Sequence, residues 1–83
     1  MTPGYLMFLG LVYNLQPMKV VINGENRTLK QPTSLKQLIL ELNLENKRLA
    51  IEVNQNIVPR SEYADFLLKD GDLVEIVQAI GGG

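Results

Sequence analysis

The sequence predicts an α+β domain in which a mixed β-sheet packs on one helix. Most apolar residues lie in short segments bounded by Gly, Pro and Asn. Within a segment they either alternate with polar residues or follow one another directly, which is typical of strands. A single segment has helical spacing instead. The length of 83 residues allows one domain with one modest core and little room for a deep catalytic cleft.

A short strand, Lys19–Ile22, opens the predicted domain. Asn23-Gly24 follows, and this dipeptide is the strongest two-residue hairpin signal because both residues tolerate a positive φ. Residues Glu25–Leu29 then return as the partner strand. We interpret Asn23-Gly24 as a hairpin turn and nothing more.

The helix is predicted to begin at Ser34. Ser34 and Gln37 have the spacing of a capping box, in which each side chain bonds the other residue's backbone amide. Asn43 is a plausible end. The apolar residues recur at i, i+3, i+4 and i+7, which forms one stripe that we interpret as core rather than as a partner surface: Leu35, Leu38, Ile39 and Leu42.

Two further strands are expected after the helix. Residues Leu49–Val53 alternate in polarity, and Ile57-Val58 is a brief strand whose following residue, Pro59, suits a sheet edge. Ser61 to Asp65 is long enough for a single helical turn.

The last strand is predicted at Leu73–Gln78, after a turn at Lys69–Asp72 in which glycine supplies the unusual dihedral angle. Its nearly continuous apolar residues indicate a central strand, covered on one face and partly on the other. The first and last strands are the most apolar, so we expect them side by side and parallel in the centre of the sheet. This is the β-grasp arrangement.

A change in composition divides the chain into residues 1–17 and residues 18–83. Residues 1–17 carry no charged side chain, whereas every charge lies from Lys19 onward. This apolar N-terminal extension lacks basic residues ahead of its apolar run and is shorter than the roughly 20 residues of a membrane span. We expect it to lie outside the core, although Phe8 to Tyr13 would also suit an extra strand or flap.

The composition excludes several classes of chemistry. The chain has no Cys and no His, which removes the thiolate nucleophile, the imidazole base and a zinc site. Its net charge of −1 favours neither nucleic acid nor a membrane as a partner. Asp70 and Asp72 are read as turn residues rather than a metal site, and Tyr63 and Phe66 as core residues. We therefore expect a protein without catalytic residues, metal or bound cofactor.

The C-terminal residues Gly81, Gly82 and Gly83 follow the last strand almost directly, after Ile80. A tail without Cβ atoms fits a narrow channel in another protein, and its backbone can pair with a partner's strand edge. An acyl group on glycine cannot racemise and is open to nucleophiles. We expect the carboxylate of Gly83 to be the working group, activated by a separate enzyme that uses ATP, with Ile80 to Gly82 required for partner access.

Residues 18–83 resemble the ThiS family of sulfur carriers in thiamine biosynthesis. The resemblance lies in MKVVINGE at the start, VNQNIVPR from Val53, KDGDLVEIVQAI from Lys69 and the terminal Gly-Gly. It implies a ubiquitin-like β-grasp fold. We also expect a cytoplasmic protein, with which the absence of disulfides is compatible. It also implies that Gly83 is adenylated by a ThiF-type adenylyltransferase with Mg-ATP, receives sulfur from a donor system as a thiocarboxylate, and passes it to the thiazole synthase ThiG.

Two alternatives remain from the sequence. The small subunit of molybdopterin synthase, MoaD, shares the fold and the tail chemistry, but that family usually has a proline shortly before its Gly-Gly, and Gln78-Ala79-Ile80 has none. The other alternative is a plain β-grasp interaction module that binds through its sheet and has no tail chemistry.

Overall fold

The computed structural model describes residues 16–79. The tail residues 80–83 and most of the N-terminal extension, residues 1–15, lie outside the described range, so the predicted boundary at residue 17 stays a prediction. The elements follow the predicted order: β1 (Met18–Ile22), β2 (Glu25–Leu29), α1 (Leu35–Glu41), β3 (Leu49–Val53), β4 (Asn56–Val58), a 3₁₀ turn (Arg60–Glu62) and β5 (Leu73–Gln78).

The five strands form one mixed sheet in the order β2-β1-β5-β3-β4. The two central strands, β1 and β5, are parallel, with Val21 opposite Leu73 and Ile22 opposite Val74. All other neighbouring strands are antiparallel. The predicted central, parallel pairing of the first and last strands is therefore confirmed.

The helical turn after β4 begins earlier and is tighter than the predicted Ser61–Asp65. It is a 3₁₀ turn that starts at Arg60, because Pro59 has a φ of −63° and its carbonyl accepts the amide of Glu62 at 2.9 Å. The carbonyl of Glu62 then accepts the amide of Phe66, so the chain stays curled beyond the 3₁₀ turn itself.

Helix α1 begins and ends as its sequence predicts. The Ser34 hydroxyl accepts the amide of Gln37 at 3.1 Å, and the Gln37 side chain accepts the amide of Ser34 at 2.8 Å, which completes the capping box. Asn43 has a φ of 59°, the left-handed conformation that commonly ends helices. The helix amides near its start also bond the carbonyls of Tyr63 and Phe66, which ties α1 to the segment after the 3₁₀ turn.

One hydrophobic cluster forms the core between α1 and the covered face of the sheet. Three of the four stripe residues are buried, and the fourth, Leu42, is partly buried against them. Tyr63 is buried and Phe66 is half-buried in the same cluster, which confirms them as core residues. The largest fully buried side chains are Met18, Leu35, Leu38, Ile51, Val20 and Val74.

The second face of β5 is more open than its apolar sequence indicated. Val74 and Ile76 are buried, but Leu73 is 52% exposed and Val77 is 62% exposed. In the described residues this face is covered only by neighbouring strands, because the one α-helix they form packs on the opposite face.

Asn23 does more than form a turn. Asn23 and Gly24 both have a positive φ, as the hairpin requires. In addition, the Asn23 carboxamide accepts the amide of Ile76 at 2.7 Å and donates to the Ile76 carbonyl at 3.1 Å. Because β1 ends at Ile22, this side chain continues the parallel pairing of β5 where no backbone of β1 remains. The interpretation of Asn23 as a turn residue alone is therefore wrong.

The start of β5 is held by the two aspartates that the sequence indicated as turn residues. Asp72 is buried and accepts the Lys69 amide at 2.7 Å and the Asn54 side-chain amide at 3.0 Å. Asp70 accepts the backbone amide of Lys19 at 2.7 Å. Asn54 in turn accepts the amide of Leu73, so the start of β5 is fixed by side chains of the turn and of the segment after β3.

We predict that Leu38→Ala lowers the free energy of unfolding by about 2–5 kcal/mol, because Leu38 is 1% exposed and its truncation leaves a cavity. Urea denaturation checks this. The control is Leu40→Ala in the same helix, at a side chain that is 48% exposed, where a change of less than about 0.5 kcal/mol is expected. Equal effects at the two positions would contradict the assigned helix face.

We predict that Asn23→Gly destabilises the fold by about 1–3 kcal/mol and speeds hydrogen exchange at the Ile76 amide. Glycine keeps the positive φ and removes only the two bonds to Ile76. The control is Asn43→Gly, at another left-handed position that lies at the end of α1. An Ile76 amide that exchanges equally slowly in both variants would show that Asn23 does not hold β5.

Candidate functional site

The predicted site residues, Ile80, Gly81, Gly82 and Gly83, lie outside the described residues, so their roles stay predictions. The structure describes the residues immediately before them. Gln78 is the last residue of β5, and Ala79 follows it, with both side chains exposed. We call Gln78-Ala79 the tail root.

The tail root is attached to β3 on one side. Gln78 pairs with Leu49, and the backbone amide of Ala79 donates to the carbonyl of Arg48 at 2.9 Å. On the other side, β1 pairs only as far as Val74, and the Asn23 side chain continues to Ile76. A central strand, fixed along its length by neighbours, thus ends at an exposed tail root.

Asn23 is the residue at this site that sequence reasoning missed. Its sequence signal, Asn-Gly between two strands, is fully accounted for by the hairpin. The further role depends on the stagger of β1 and β5, since Asn23 lies level with Ile76 only because β5 extends beyond the end of β1. A hairpin also accepts aspartate or glycine at this position, so the asparagine itself was the one available indication of a further role.

The open face of the sheet is partly apolar. Leu73 and Val77 of β5 lie on it, together with Ile57 of β4, which is 76% exposed. Glu52 of β3 pairs with Glu75 of β5 on the same face and is also opposite Ile57. Apolar and acidic side chains are therefore mixed on this surface.

A groove of about 600 Å³ lies beside the tail root on the side of α1. Its wall includes Arg48 and Leu49, the residues that bond and pair with the tail root. We call it the basic groove, because four basic side chains and a single carboxylate line it: Lys36, Lys47, Arg48, Arg60 and Glu45. Its apolar lining comes mainly from Leu40 of α1, Leu44 and Leu49.

The described residues contain no group of three or more His, Cys, Asp or Glu side chains placed to hold a metal ion. Asp70 and Asp72 accept backbone amides instead, as noted above. Within the same range, no helix is long and apolar enough to cross a membrane.

Comparison with known proteins identifies the family. The ThiS family model matches residues 20–83. The thiazole synthase of Paramagnetospirillum magneticum is 46% identical over 66 residues, covering 80% of this chain, but the chain spans only 20% of that protein. The sulfur carrier protein ThiS of Thermus thermophilus is 39% identical over 64 residues, which cover 77% of this chain and 98% of that protein.

A solved structure agrees with the sequence comparison. The crystal structure of the thiamine biosynthesis protein ThiS from Geobacter metallireducens superposes with a TM-score of 0.67 at 26% sequence identity. The match covers 80% of this chain and all of the other. The mixed sheet with its parallel centre and one helix is accordingly the ubiquitin-like β-grasp fold of ThiS, and the chain belongs to the ThiS family.

Proposed function

We propose that this chain is a sulfur carrier protein of thiamine biosynthesis and not an enzyme, with the carboxylate of Gly83 as its working group. The observation that carries the proposal is the position of the tail root at the exposed end of a central, firmly held strand. Membership of the ThiS family supports it, as do relatives that are sulfur carrier proteins.

The proposed chemistry begins with activation of the carboxylate. A carboxylate is a poor acyl donor, so a ThiF-type adenylyltransferase first joins it to the α-phosphate of Mg-ATP and releases pyrophosphate. Sulfur at the oxidation level of sulfide, supplied by the donor system, then attacks the carbonyl carbon of the acyl adenylate and displaces AMP, which gives a thiocarboxylate. The nucleotide and the metal ion belong to the partner enzyme, and the carrier itself binds no cofactor.

Delivery of the sulfur requires a second partner, for which we propose the thiazole synthase ThiG. The thiazole synthase of Paramagnetospirillum magneticum contains, within its own polypeptide, a segment that is 46% identical to this chain. A second thiazole synthase, from Magnetococcus marinus, is 35% identical over 66 residues. A carrier-like segment within such proteins supports a direct physical association with the synthase.

The glycines have a physical role in this scheme. A side chain on residues 81–83 would widen the tail, whereas bare backbone enters a narrow channel and leaves its amides and carbonyls available to the partner. The folded domain holds the tail root through the pairing of Gln78 with Leu49 and the bond from the Ala79 amide to the Arg48 carbonyl, so the tail starts from a fixed position. The remaining surfaces of the domain are then available for recognition.

We predict that deleting Gly82 and Gly83 abolishes adenylation, because the carboxylate no longer reaches the nucleotide. Pyrophosphate release by the adenylyltransferase and the intact mass of the carrier, which reports exchange of oxygen for sulfur, both measure this. Extra residues appended after Gly83 should have the same effect, and the same residues placed before Met1 are the control. Gly82→Val should be almost as damaging as these changes. Gly82→Ala, which adds a smaller side chain, should have a smaller effect.

These tail variants should melt like the unmodified chain, because none touches the core. A shortened or blocked protein that still accepts sulfur would show that the terminal carboxylate is not the working group. A plain β-grasp interaction module would then describe the chain better.

We predict that removing residues 1–17 leaves both the fold and sulfur acceptance intact. Of this segment the structure describes Gln16 and Pro17, and the Gln16 carbonyl accepts the Gln31 side-chain amide at 2.7 Å in an exposed position. The segment also joins β1 at the end of the sheet remote from the tail root. Circular dichroism and the mass assay check this, and unfolding or loss of sulfur acceptance would place the extension inside the domain.

A further inference from the structure

The basic groove has a charge opposite in sign to that of the chain as a whole. Its four basic side chains and one carboxylate give the lining a formal charge of +3, whereas the whole chain has a net charge of −1. Half of the eight basic residues in the sequence therefore line this one surface. Such a concentration favours a ligand that carries carboxylates or phosphates.

The apolar part of the groove distinguishes between those ligands. Leu40 is 48% exposed, and Leu44 and Leu49 are half-buried, so the groove offers leucine surface alongside its charges. Nucleic-acid bases commonly stack on aromatic side chains, but the one aromatic residue of the lining, Tyr63, is buried in the core. The lining also contains no glycine, whereas many phosphate sites use a glycine-rich loop. An acidic peptide with an apolar side chain matches both features.

The location of the groove indicates what kind of protein would carry that peptide. The backbone carbonyl of Arg48, in the groove wall, accepts a hydrogen bond from the amide of Ala79, and the neighbouring Leu49 pairs with Gln78. Any segment bound in the groove therefore lies beside the tail root. A protein that holds the tail is in position to fill the groove at the same time.

We propose that the basic groove is the docking site for an acidic segment, with an apolar anchor residue, of a partner protein that acts on the tail. The basic side chains attract and orient the acidic residues, and the leucines take up the anchor. This inference rests on the proposed function for the identity of the partner. The binding itself does not require the tail.

The first test uses a defined probe with the full chain. A short acidic peptide that repeats Glu-Leu-Asp is titrated into isotope-labelled protein and followed by NMR, beside a Lys-Leu-Lys peptide and ATP. We expect the acidic peptide to shift the amides around Leu40 and Arg48, with affinity that falls as salt is added. Absence of shifts with the acidic peptide, or stronger binding of the lysine peptide or of ATP in the groove, would overturn the proposal.

A charge-reversal pair tests the basic side chains. The double variant Lys47→Glu, Arg48→Glu should weaken binding of the acidic peptide by about tenfold or more. The control, Arg27→Glu with Lys30→Glu, changes the same residue types and the same net charge on β2 and just after it, away from the groove, and should bind as the unmodified chain does. Equal weakening in both variants would show a general charge effect and would overturn the site.

An apolar pair provides a second, independent variant. Leu40→Ala in the groove should weaken binding, whereas Leu73→Ala, at a similarly exposed leucine on the open face of the sheet, should not. The affinity of each variant for the same peptide decides whether the peptide binds in the groove or on the open face of the sheet. If Leu73→Ala is the damaging change, the peptide binds the open face and the groove is not the docking site.

Enzyme kinetics separate this inference from the proposed function. With the adenylyltransferase, Lys47→Glu, Arg48→Glu should raise KM for the carrier with little change in kcat, because docking is weakened and the tail is intact. Deletion of Gly82 and Gly83 should abolish the reaction and leave binding of the acidic peptide unchanged. A normal KM in the groove variant would overturn the docking site alone, and sulfur acceptance by the shortened tail would overturn the carrier function alone.

Discussion

The parallel pairing of β1 with β5 places the entry of the chain into the sheet and its exit at opposite ends. Parallel strands cannot be joined by a short turn, so the chain between them must return to the end where β1 began. That return contains α1, β3 and β4, which supply the cover for one face and the other neighbour of β5. The helix therefore packs on the sheet as a consequence of how its two central strands are connected.

The sequence predicted the elements well because their signals are local. The capping box at Ser34, the stripe from Leu35 and the Asn23-Gly24 turn each depend on residues a few positions apart. The 3₁₀ turn was placed less well because Pro59, interpreted as the end of a strand, also starts the turn that follows. The exposure of Leu73 and Val77 could not be predicted, since it depends on which face the helix covers and not on the strand's own composition.

The features of the site that sequence reasoning missed join residues far apart in the chain. The bonds between Asn23 and Ile76 span 53 positions, and the basic groove collects Lys36, Arg48 and Arg60 from a helix, a loop and a 3₁₀ turn. Each of these basic residues looks like an ordinary exposed charge in the sequence. Only the packing of α1 beside β3 shows that they lie around one concave surface.

The hydrogen bond between Ala79 and Arg48 is the last backbone bond of the described residues, and under the proposed function it limits how deep a partner's reaction centre can lie. Four residues follow that point, and a fully extended chain of four residues spans at most about 14 Å. Under the proposed function, an enzyme that acts on the Gly83 carboxylate therefore holds its reacting atoms within about that distance of the surface on which the domain rests. The folded domain therefore limits how far the tail can reach, and a partner whose reaction centre lies deeper below its surface is excluded.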